Sequence, residues 1–282
     1  MILDGKACSQ KILSEISEKV KTMPKAPRLG ILLVGADESS MIYVRNKEKA
    51  AISVGFSCVI ERISADISEN GLLDIIVRFN ADPSIDGYIL QLPLPAHLNM
   101  EKVIAAIDPN KDVDGLHPFH QGSLLRGAPT RVPATPRGIL ELLSRNHITV
   151  EGKRVVIVGR STIVGRPLAA AFLLRGERGN ATVTVAHSHT KNLKEICREA
   201  DILVVAIGKG RLITAEYVKS GAVVIDVGIN RIIGLEGPKV CGDVDFESVK
   251  DVASAISPVP GGVGPMTVAM LLLNTLEAAE QR

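Results

Sequence analysis

The stretch RVVIVGRSTIVGRP, residues 154–167, decides the fold class. Its first half is a run of β-branched and aliphatic residues that predicts a buried strand; Gly159 ends that strand, and an apolar helical pattern starts at Pro167. A strand, a glycine loop and a helix in this order are typical of the unit that holds a dinucleotide phosphate at a helix N-terminus. The loop departs from G-x-G-x-x-G, because Ser161 replaces the second glycine and Gly165 comes one residue late. A plain strand-to-helix turn is therefore the alternative.

Short apolar runs alternate with helical patterns on both sides of this stretch. The predicted strands cover residues 28–35, 57–63, 87–92, 154–159, 182–187, 202–207 and 223–227. The predicted helices cover residues 7–21, 40–54, 70–80, 99–107, 136–146, 167–174 and 266–279, and Thr135 is expected to cap the helix that starts at 136. This alternation is the signature of parallel βαβ units, and it predicts an α/β fold.

The chain divides at a segment rich in proline, glycine and aspartate. Residues 108–136 show no sustained periodicity, as expected of a long functional loop or a domain junction. A length of 282 residues favours about two domains. We predict an N-terminal α/β domain over residues 1–135, to which a final helix at 265–282 returns. A Rossmann-like, doubly wound parallel sheet is predicted over residues 136–264, with a cleft between the two domains.

Composition and charge exclude several classes of protein. The 33 basic and 31 acidic residues give a formal net charge of +2 and form no long run of either sign, so we expect no nucleic-acid partner and no membrane partner. The opening residues are too polar for a signal peptide, and no apolar run is long enough to span a bilayer. Four widely spaced cysteines and six histidines without a ligand motif predict no disulfide framework, no metal site and a cytoplasmic location.

The choice of cofactor depends on the strand that follows the glycine loop. In an NAD enzyme the end of that strand carries an acid that binds the adenosine ribose, whereas here it reads VAHSH, residues 185–189. Arg160 stands beside the first glycine, where its guanidinium can pair with a 2′-phosphate. The pattern predicts NADP, and the alternative for Arg160 is an ordinary solvated loop cation.

A tyrosine and a lysine share one face of the second predicted helix. Tyr43 and Lys47 are four residues apart, and the helix starts close to Gly35, at the carboxyl end of a predicted strand. Open α/β sheets bind their ligands at this end of the strands. The pair is therefore a candidate for chemistry, although tyrosine and lysine at this spacing are also common on ordinary solvated helices.

Two further segments offer polar groups at a strand end and in the junction. Gln91 is followed by LPLP, whose prolines stop the strand, so an edge-strand terminator is the alternative to a functional role. Asp112 and Asp114 lie in KDVDG, residues 111–115, where turn-forming acids are the alternative. The D-x-D spacing resembles the start of a calcium loop, but the rest of that motif does not follow.

Eight motifs together resemble one family, that of the bifunctional methylenetetrahydrofolate dehydrogenase/methenyltetrahydrofolate cyclohydrolases. They are YVRNKEKA (43–50), QLPLP (91–95), KDVDG (111–115), TPRG (135–138), GRSTIVGRP (159–167), VIDVGIN (224–230), GDVDF (242–246) and PVPGGVGPMT (258–267). The resemblance runs from Asp4 to the final helix, in family order and close to family spacing. The chain departs from the family at Ala134, where cysteine is common, and by a few extra residues at 175–179.

The resemblance implies a role for each matching position. Lys47 would be the general acid/base, Gln91 would hydrogen-bond it, and Tyr43 would lie against the folate rings. Asp114 would accept the donor pair of the pterin, which leaves Asp112 a structural role. Ser40 would touch folate, and Pro260, Gly261 and Gly264 would form a thin wall beside it. The expected cofactor-binding residues, including the two loop glycines, are Gly159, Arg160, Ser161, Gly165, Ser188, Ile229 and Thr267.

The implied activity has two steps in one cleft. NADP-dependent oxidation converts 5,10-methylenetetrahydrofolate to the 5,10-methenyl form, and hydrolysis then gives 10-formyltetrahydrofolate, with no metal and with a homodimer as the expected assembly. Two alternatives stay open at this point. A dehydrogenase without cyclohydrolase activity should lose the function of Lys47, and a non-catalytic dinucleotide-binding regulator would carry the Tyr43 helix only as surface.

Overall fold

The computed structural model describes residues 1–234 and 237–281 of the chain. Their contacts divide them into two compact units, each with a sheet of its own. The three-stranded unit comprises Gln10–Gly122 with Val268–Arg282, and the five-stranded unit comprises Met1–Ser9 with Ser123–Thr267. The predicted domain limits, 1–135 with 265–282 and 136–264, stay a prediction.

Strands and helices alternate through most of the described chain. The strands are β1 (Arg28–Val34), β2 (Ser57–Ile63), β3 (Gly87–Gln91), β4 (Arg154–Val158), β5 (Thr182–Ala186), β6 (Ile202–Val205), β7 (Val223–Asp226), β8 (Asn230–Gly234), β9 (Gly237–Cys241) and β10 (Ala255–Ile256). The helices are α1 (Gly5–Thr22), α2 (Glu38–Ser53), α3 (Glu69–Ala81), α4 (Met100–Ala105), α5 (Pro118–Leu125), α6 (Ala134–Arg145), α7 (Gly165–Phe172), α8 (Leu193–Arg198), α9 (Phe246–Val249) and α10 (Val263–Glu280). None of the described helices is long and apolar enough to cross a bilayer.

The three-stranded sheet is built around β1, which pairs in parallel with β2 on one side and β3 on the other. Gly30 in β1 leaves room for two rings, since a Cβ there would stand 2.8 Å from Tyr88 Cβ and 3.0 Å from Phe79 Cε1. Parallel pairing brings the carboxyl ends of the strands to one edge of the sheet. The start of α2, which follows β1, and Gln91, which ends β3, therefore lie on the same edge.

The five-stranded sheet has the order β10-β7-β6-β4-β5, and all of its pairs are parallel. The chain enters at β4, moves outward to β5 and then crosses back to β6. The order of strands therefore reverses beside β4, and ligands bind at such a reversal, outside the carboxyl ends of the strands. Valine and isoleucine side chains fill both faces of β4 and β6, as expected of a sheet covered on two sides. The predicted α/β class with a Rossmann-like sheet is confirmed.

The segment 108–136 and the starts of α6 and α10 are among the differences between prediction and structure. The segment 108–136 contains α5, which the sequence did not reveal because eight residues with an internal glycine are too few for a helical period to stand out. Helix α6 begins at Ala134 with Pro133 as its N-cap, so Thr135 lies inside the helix and does not cap it. Its hydroxyl accepts a hydrogen bond of 3.1 Å from Thr267 Oγ1 instead. Helix α10 begins at Val263, before the predicted start at 266.

Candidate active site

A lysine and a glutamine meet at the carboxyl edge of the three-stranded sheet. Lys47 lies in α2 and Gln91 ends β3, and Lys47 Nζ donates a hydrogen bond of 3.0 Å to Gln91 Oε1. Gln91 Nε2 in turn donates to the Leu92 carbonyl at 2.7 Å. The side-chain amide is therefore fixed with its oxygen toward the lysine, and Gln91 is almost fully buried. The structure brings these two predicted site residues together.

The charge of Asp114 acts on this lysine. Burial lowers the pKa of Lys47 below the usual lysine value, and the negative charge of Asp114 partly opposes that shift. Burial raises the pKa of Asp114, and the positive charge of Lys47 opposes that shift. Both side chains are half-buried. A lysine whose neutral form is reached at a lower pH than usual is better suited to proton transfer than an ordinary lysine.

The two aspartates of the KDVDG segment have different surroundings. Asp112 is buried, and its carboxylate accepts hydrogen bonds from the backbone N–H groups of Gly115 at 3.0 Å and His117 at 2.7 Å. The carboxylate of Asp114 accepts no hydrogen bond from any residue that the structure describes. Asp112 is thus occupied in shaping the turn, and Asp114 keeps its oxygens available for a ligand.

Helix α2 also carries Tyr43 and Ser40. Tyr43 lies one turn before Lys47 and is 36% exposed, so its ring can be reached by a ligand. Ser40 is buried, and both its backbone N–H and its hydroxyl donate to Asp37 Oδ2, at 2.8 and 2.9 Å. Asp37 is the N-cap of α2. The structure therefore shows Ser40 fixing the start of the helix, in addition to its predicted contact with folate.

Pro260, Gly261 and Gly264 lie in the five-stranded unit. Gly261 has a φ of +108°, a conformation that favours glycine, and its carbonyl accepts a hydrogen bond of 2.9 Å from the Lys6 N–H. Pro260 is exposed, and a Cβ at Gly264 would meet nothing closer than Ile229 Cδ1 at 3.9 Å. The space beside Gly264 is therefore open, and the wall beside folate stays a prediction.

Backbone carbonyl groups pack closely against the glycines of the loop after β4. A Cβ at Gly159 would stand 2.2 Å from the Ala206 carbonyl oxygen, and a Cβ at Gly165 would stand 2.1 Å from the Gly159 carbonyl oxygen. Ser161 Oγ accepts hydrogen bonds from the N–H groups of Val164 and Gly165, at 3.2 and 3.4 Å. Ser161, where a glycine stands in the usual motif, thus folds the loop by its side chain.

Arg160 and Ser188 lie at the surface beside the end of β5. Burial and then the charge of Arg160 lower the pKa of His187, the residue that follows β5. Ile229, which follows β7 and precedes β8, is half exposed. Thr267 is tied to Thr135 through their hydroxyls, as described above. The structure places these predicted cofactor residues in the five-stranded unit with Gly159, Ser161 and Gly165.

Two family models cover most of the chain. Residues 3–114 match the catalytic domain of tetrahydrofolate dehydrogenase/cyclohydrolase, and residues 133–282 match the NAD(P)-binding domain of the same family. The chain belongs to the tetrahydrofolate dehydrogenase/cyclohydrolase family. The family predicted from the sequence is thereby confirmed, together with its two enzymatic activities and a nicotinamide dinucleotide as cofactor.

Individual relatives resemble this family member along their whole length. The bifunctional protein FolD of Streptococcus agalactiae is 52% identical over 282 residues, which cover 99% of this chain and 97% of the relative. The crystal structure of FolD from Campylobacter jejuni superposes with a TM-score of 0.95 at 44% identity, covering 100% of this chain and 99% of the other. The FolD of Trypanosoma brucei, solved with NADP and an inhibitor, gives a TM-score of 0.93 at 36% identity, with coverages of 100% and 97%.

Two buried aspartates in the NAD(P)-binding domain were not identified as site residues from the sequence. The carboxylate of Asp243 accepts backbone hydrogen bonds from all three residues of the loop 207–209, at 2.7 to 2.9 Å, and one of 2.8 Å from Asn230 Nδ2. Asp226 accepts from the N–H groups of Gly228, Asp243 and Val244. Burial raises the pKa of Asp226 to about 6 against these donors. The sequence feature that could have identified these two aspartates is the acid next to apolar residues in VIDVGIN and in GDVDF.

Proposed function

We propose that Lys47, Gln91 and Asp114 carry out the folate chemistry of this enzyme in one site: oxidation of 5,10-methylenetetrahydrofolate and hydrolysis of the 5,10-methenyl product to 10-formyltetrahydrofolate. The observation that carries this proposal is the hydrogen bond of 3.0 Å from Lys47 Nζ to Gln91 Oε1, beside the charge of an uncommitted Asp114. A lysine held in place with a lowered pKa, next to a free carboxylate, can both orient a pterin and move a proton.

Folate binding falls to Asp114 and Tyr43. The pterin presents a ring N–H and an adjacent amino group, and one carboxylate can accept both. The exposed ring of Tyr43 offers a π-face to the planar part of folate. Ser40 contributes by fixing the first turn of the helix that carries Tyr43 and Lys47.

The cofactor proposed is NADP, held by the glycine loop of the five-stranded unit. Gly159 and Gly165 fit this group because a side chain at either position would collide with a backbone carbonyl oxygen, so only glycine allows the close strand-to-helix turn that a dinucleotide loop uses. Arg160 would pair with the 2′-phosphate, with Ser188 beside it, and Ile229 and Thr267 would contact the nicotinamide half. When bound, NADP supplies the acceptor for the hydride that leaves the methylene carbon.

The hydrolytic step uses Lys47 as its proton-transfer group. After hydride loss the one-carbon unit is a methenyl cation, which is already an electrophile. Neutral Lys47 takes a proton from the water that adds to the methenyl carbon, and the protonated amine returns that proton to N5 as the bond from N5 to that carbon breaks. The hydroxyl of the adduct loses its own proton to solvent as the formyl C=O forms. The sum is water added and one proton released, so no metal is required. Gln91 keeps Nζ directed at the reacting carbon throughout.

A single assay tests the proposal against both alternatives. The protein is incubated with methylenetetrahydrofolate and NADP, and NADPH, methenyltetrahydrofolate and 10-formyltetrahydrofolate are followed together. We expect NADPH and the formyl product to accumulate in near-equal amounts. Methenyl product that is lost only at the spontaneous rate would mean a monofunctional dehydrogenase, and absence of NADPH would mean a non-catalytic regulator.

The proposed assembly is a homodimer, and the proposed location is the cytoplasm. The dimer is supported by the family resemblance and by β5, an edge strand of the five-stranded sheet with Thr182, Thr184 and Val185 exposed, since edge strands readily pair with another copy. Sedimentation should give twice the mass of one chain, and Val185→Lys should shift the measured mass toward that of a single chain.

The cytoplasmic location is supported by the four cysteines, which are free thiols, as a reducing compartment would keep them.

A further inference from the structure

The backbone around Asp114 is tied to the last helix. Asn274 in α10 is fully buried, and its Nδ2 donates a hydrogen bond of 2.8 Å to the carbonyl oxygen of Val113. Val113, the residue directly before Asp114, is itself fully buried. The bond joins residues 161 positions apart in the sequence, so it fixes the Asp114 segment to an element far from it along the chain.

Two further contacts hold the same segment on either side of Val113. The Tyr88 N–H, in β3, donates to the Lys111 carbonyl at 2.8 Å, and Tyr88 and Asp112 form a parallel bridge. The Gly115 N–H donates to Asp112 Oδ1 at 3.0 Å, and Gly115 has a φ of +76°, which glycine adopts without strain. The backbone on both sides of Asp114 is therefore fixed.

Side-chain packing also holds the segment that carries Asp114. A Cβ at Gly87 would stand 2.1 Å from Val113 Cγ1, so the valine side chain lies directly on the backbone of β3. Asp114 thus has an anchored backbone, whereas its carboxylate has no hydrogen-bond partner among the described residues. A carboxylate held in this way is preorganised for a ligand, because little freedom is left to lose on binding.

We infer that Asn274 is a positioning residue of the folate site. Its hydrogen bond to the Val113 carbonyl sets the direction of Asp114, and Asp114 receives the donor pair of the pterin. The inference rests on the proposed function, since it assigns that role to Asp114. Helix α10 then contributes to substrate recognition through a buried amide that does not touch the substrate.

Two substitutions remove the donor in different ways. Asn274→Leu replaces the amide by an apolar group of similar volume, and Asn274→Ala leaves a small cavity. In each we expect the KM for methylenetetrahydrofolate to rise by about tenfold, as for one lost buried hydrogen bond, while the KM for NADP stays within about twofold. Because two variants of different size test the same donor, a failure of one of them to fold leaves the other to decide.

Thr275→Val is the matched control. Thr275 is the next residue in α10 and is also fully buried, but its Oγ1 donates to the Leu271 carbonyl at 2.9 Å, within the helix. The control therefore loses a buried hydrogen bond without touching the Asp114 segment. We expect it to lower the unfolding temperature in the same way as the Asn274 variants and to leave the KM for folate unchanged. A raised folate KM in Thr275→Val would overturn the inference, since any loosening of α10 would then suffice.

A double-mutant cycle separates this inference from the proposed function. If Asn274 acts through Asp114, then Asn274→Leu should add nothing to the folate KM of Asp114→Ala. An effect of Asn274→Leu of equal size in both backgrounds, or no effect in either, would overturn the inference and leave the role of Asp114 standing. An unchanged folate KM in Asp114→Ala would overturn the proposed role of Asp114, and the role of Asn274 with it.

Discussion

Lys47 Nζ donates to Gln91 Oε1 at 3.0 Å, and this bond joins the helix that follows β1 to the last residue of β3. Gln91 cannot turn its amide the other way without giving up its own bond to the Leu92 carbonyl. The lysine thus meets an acceptor that is neutral, which holds Nζ in place without stabilising its charge as a carboxylate would. A base that must also be uncharged for part of the cycle benefits from such a partner.

Replacing Lys47 should separate the two activities. Lys47→Met keeps a side chain of similar reach and removes the amine, so cyclohydrolase activity should fall by about 10²–10⁴-fold, as for a lost general acid/base. Hydride transfer depends chiefly on holding the two reactants together and should fall less. Methenyltetrahydrofolate should then accumulate in an assay that follows all three products. Undiminished formyl product in the folded variant would remove Lys47 from the mechanism.

The preference for NADP should depend on Arg160. Its charge lowers the pKa of His187 at the end of β5, where the chain carries no acid for a ribose hydroxyl. One charge-assisted hydrogen bond contributes about 1.5–3 kcal/mol, so Arg160→Ala should cut the ratio of kcat/KM for NADP over NAD by roughly ten- to a hundredfold. Arg166→Ala, an exposed arginine of α7, is the control. Equal efficiency with both cofactors in the unmutated enzyme would refute the assignment.

The glycine loop should not accept even one methyl group at Gly165. Its Cβ would stand 2.1 Å from the Gly159 carbonyl oxygen, and forcing extra atoms into a packed site costs about 1–3 kcal/mol. Gly165→Ala should therefore lower the unfolding temperature and raise the KM for NADP more than the KM for folate. Gly122→Ala is the matched control, because nothing lies within 4 Å of its Cβ position. Equal unfolding temperatures and equal KM values for NADP in the two variants would show that the loop can open to accept a methyl group.

Much of the fold could be predicted from the sequence because several strands are buried aliphatic runs. β1 and β4 are such runs and were predicted to within one residue, whereas β2, with Glu61 and Arg62 in it, was predicted with its observed bounds although most of it is only partly buried. The elements that were missed are short or depend on distant partners. The hairpin of β8 and β9 and helices α5, α8 and α9 are too brief to show a period. Thr135 lies inside α6, and its hydroxyl bonds to Thr267, which is far from it in the sequence.

Candidate site residues could be predicted where they lie close together in one short sequence motif. Spacing made Lys47 with Tyr43 on a helix face and Gly159 with Gly165 in a loop candidates, and the family resemblance gave them their roles. The resemblance implies a pterin contact for Asp114 and a structural role for Asp112, and the structure adds a physical reason for Asp112, whose carboxylate accepts from the backbone N–H groups of Gly115 and His117. The bond from Asn274 to Val113 had no sequence signal, since the two residues are 161 positions apart.

The cyclohydrolase reaction should depend on pH through the ionisation of Lys47. Burial lowers the pKa of Lys47, and Asp114 raises it, so the neutral base forms at a lower pH than for an ordinary lysine. The kcat/KM for methenyltetrahydrofolate, which reports the free enzyme, should therefore rise with pH through an ionisation below the usual lysine range. Asp114→Asn removes the charge that raises this pKa, so the rise should move to lower pH while the KM for folate increases. A stopped-flow measurement of methenyl loss between pH 5 and 10, corrected for spontaneous hydrolysis, would decide it: a rise in Asp114→Asn that stays in place or moves to higher pH would show that the titrating group is not Lys47.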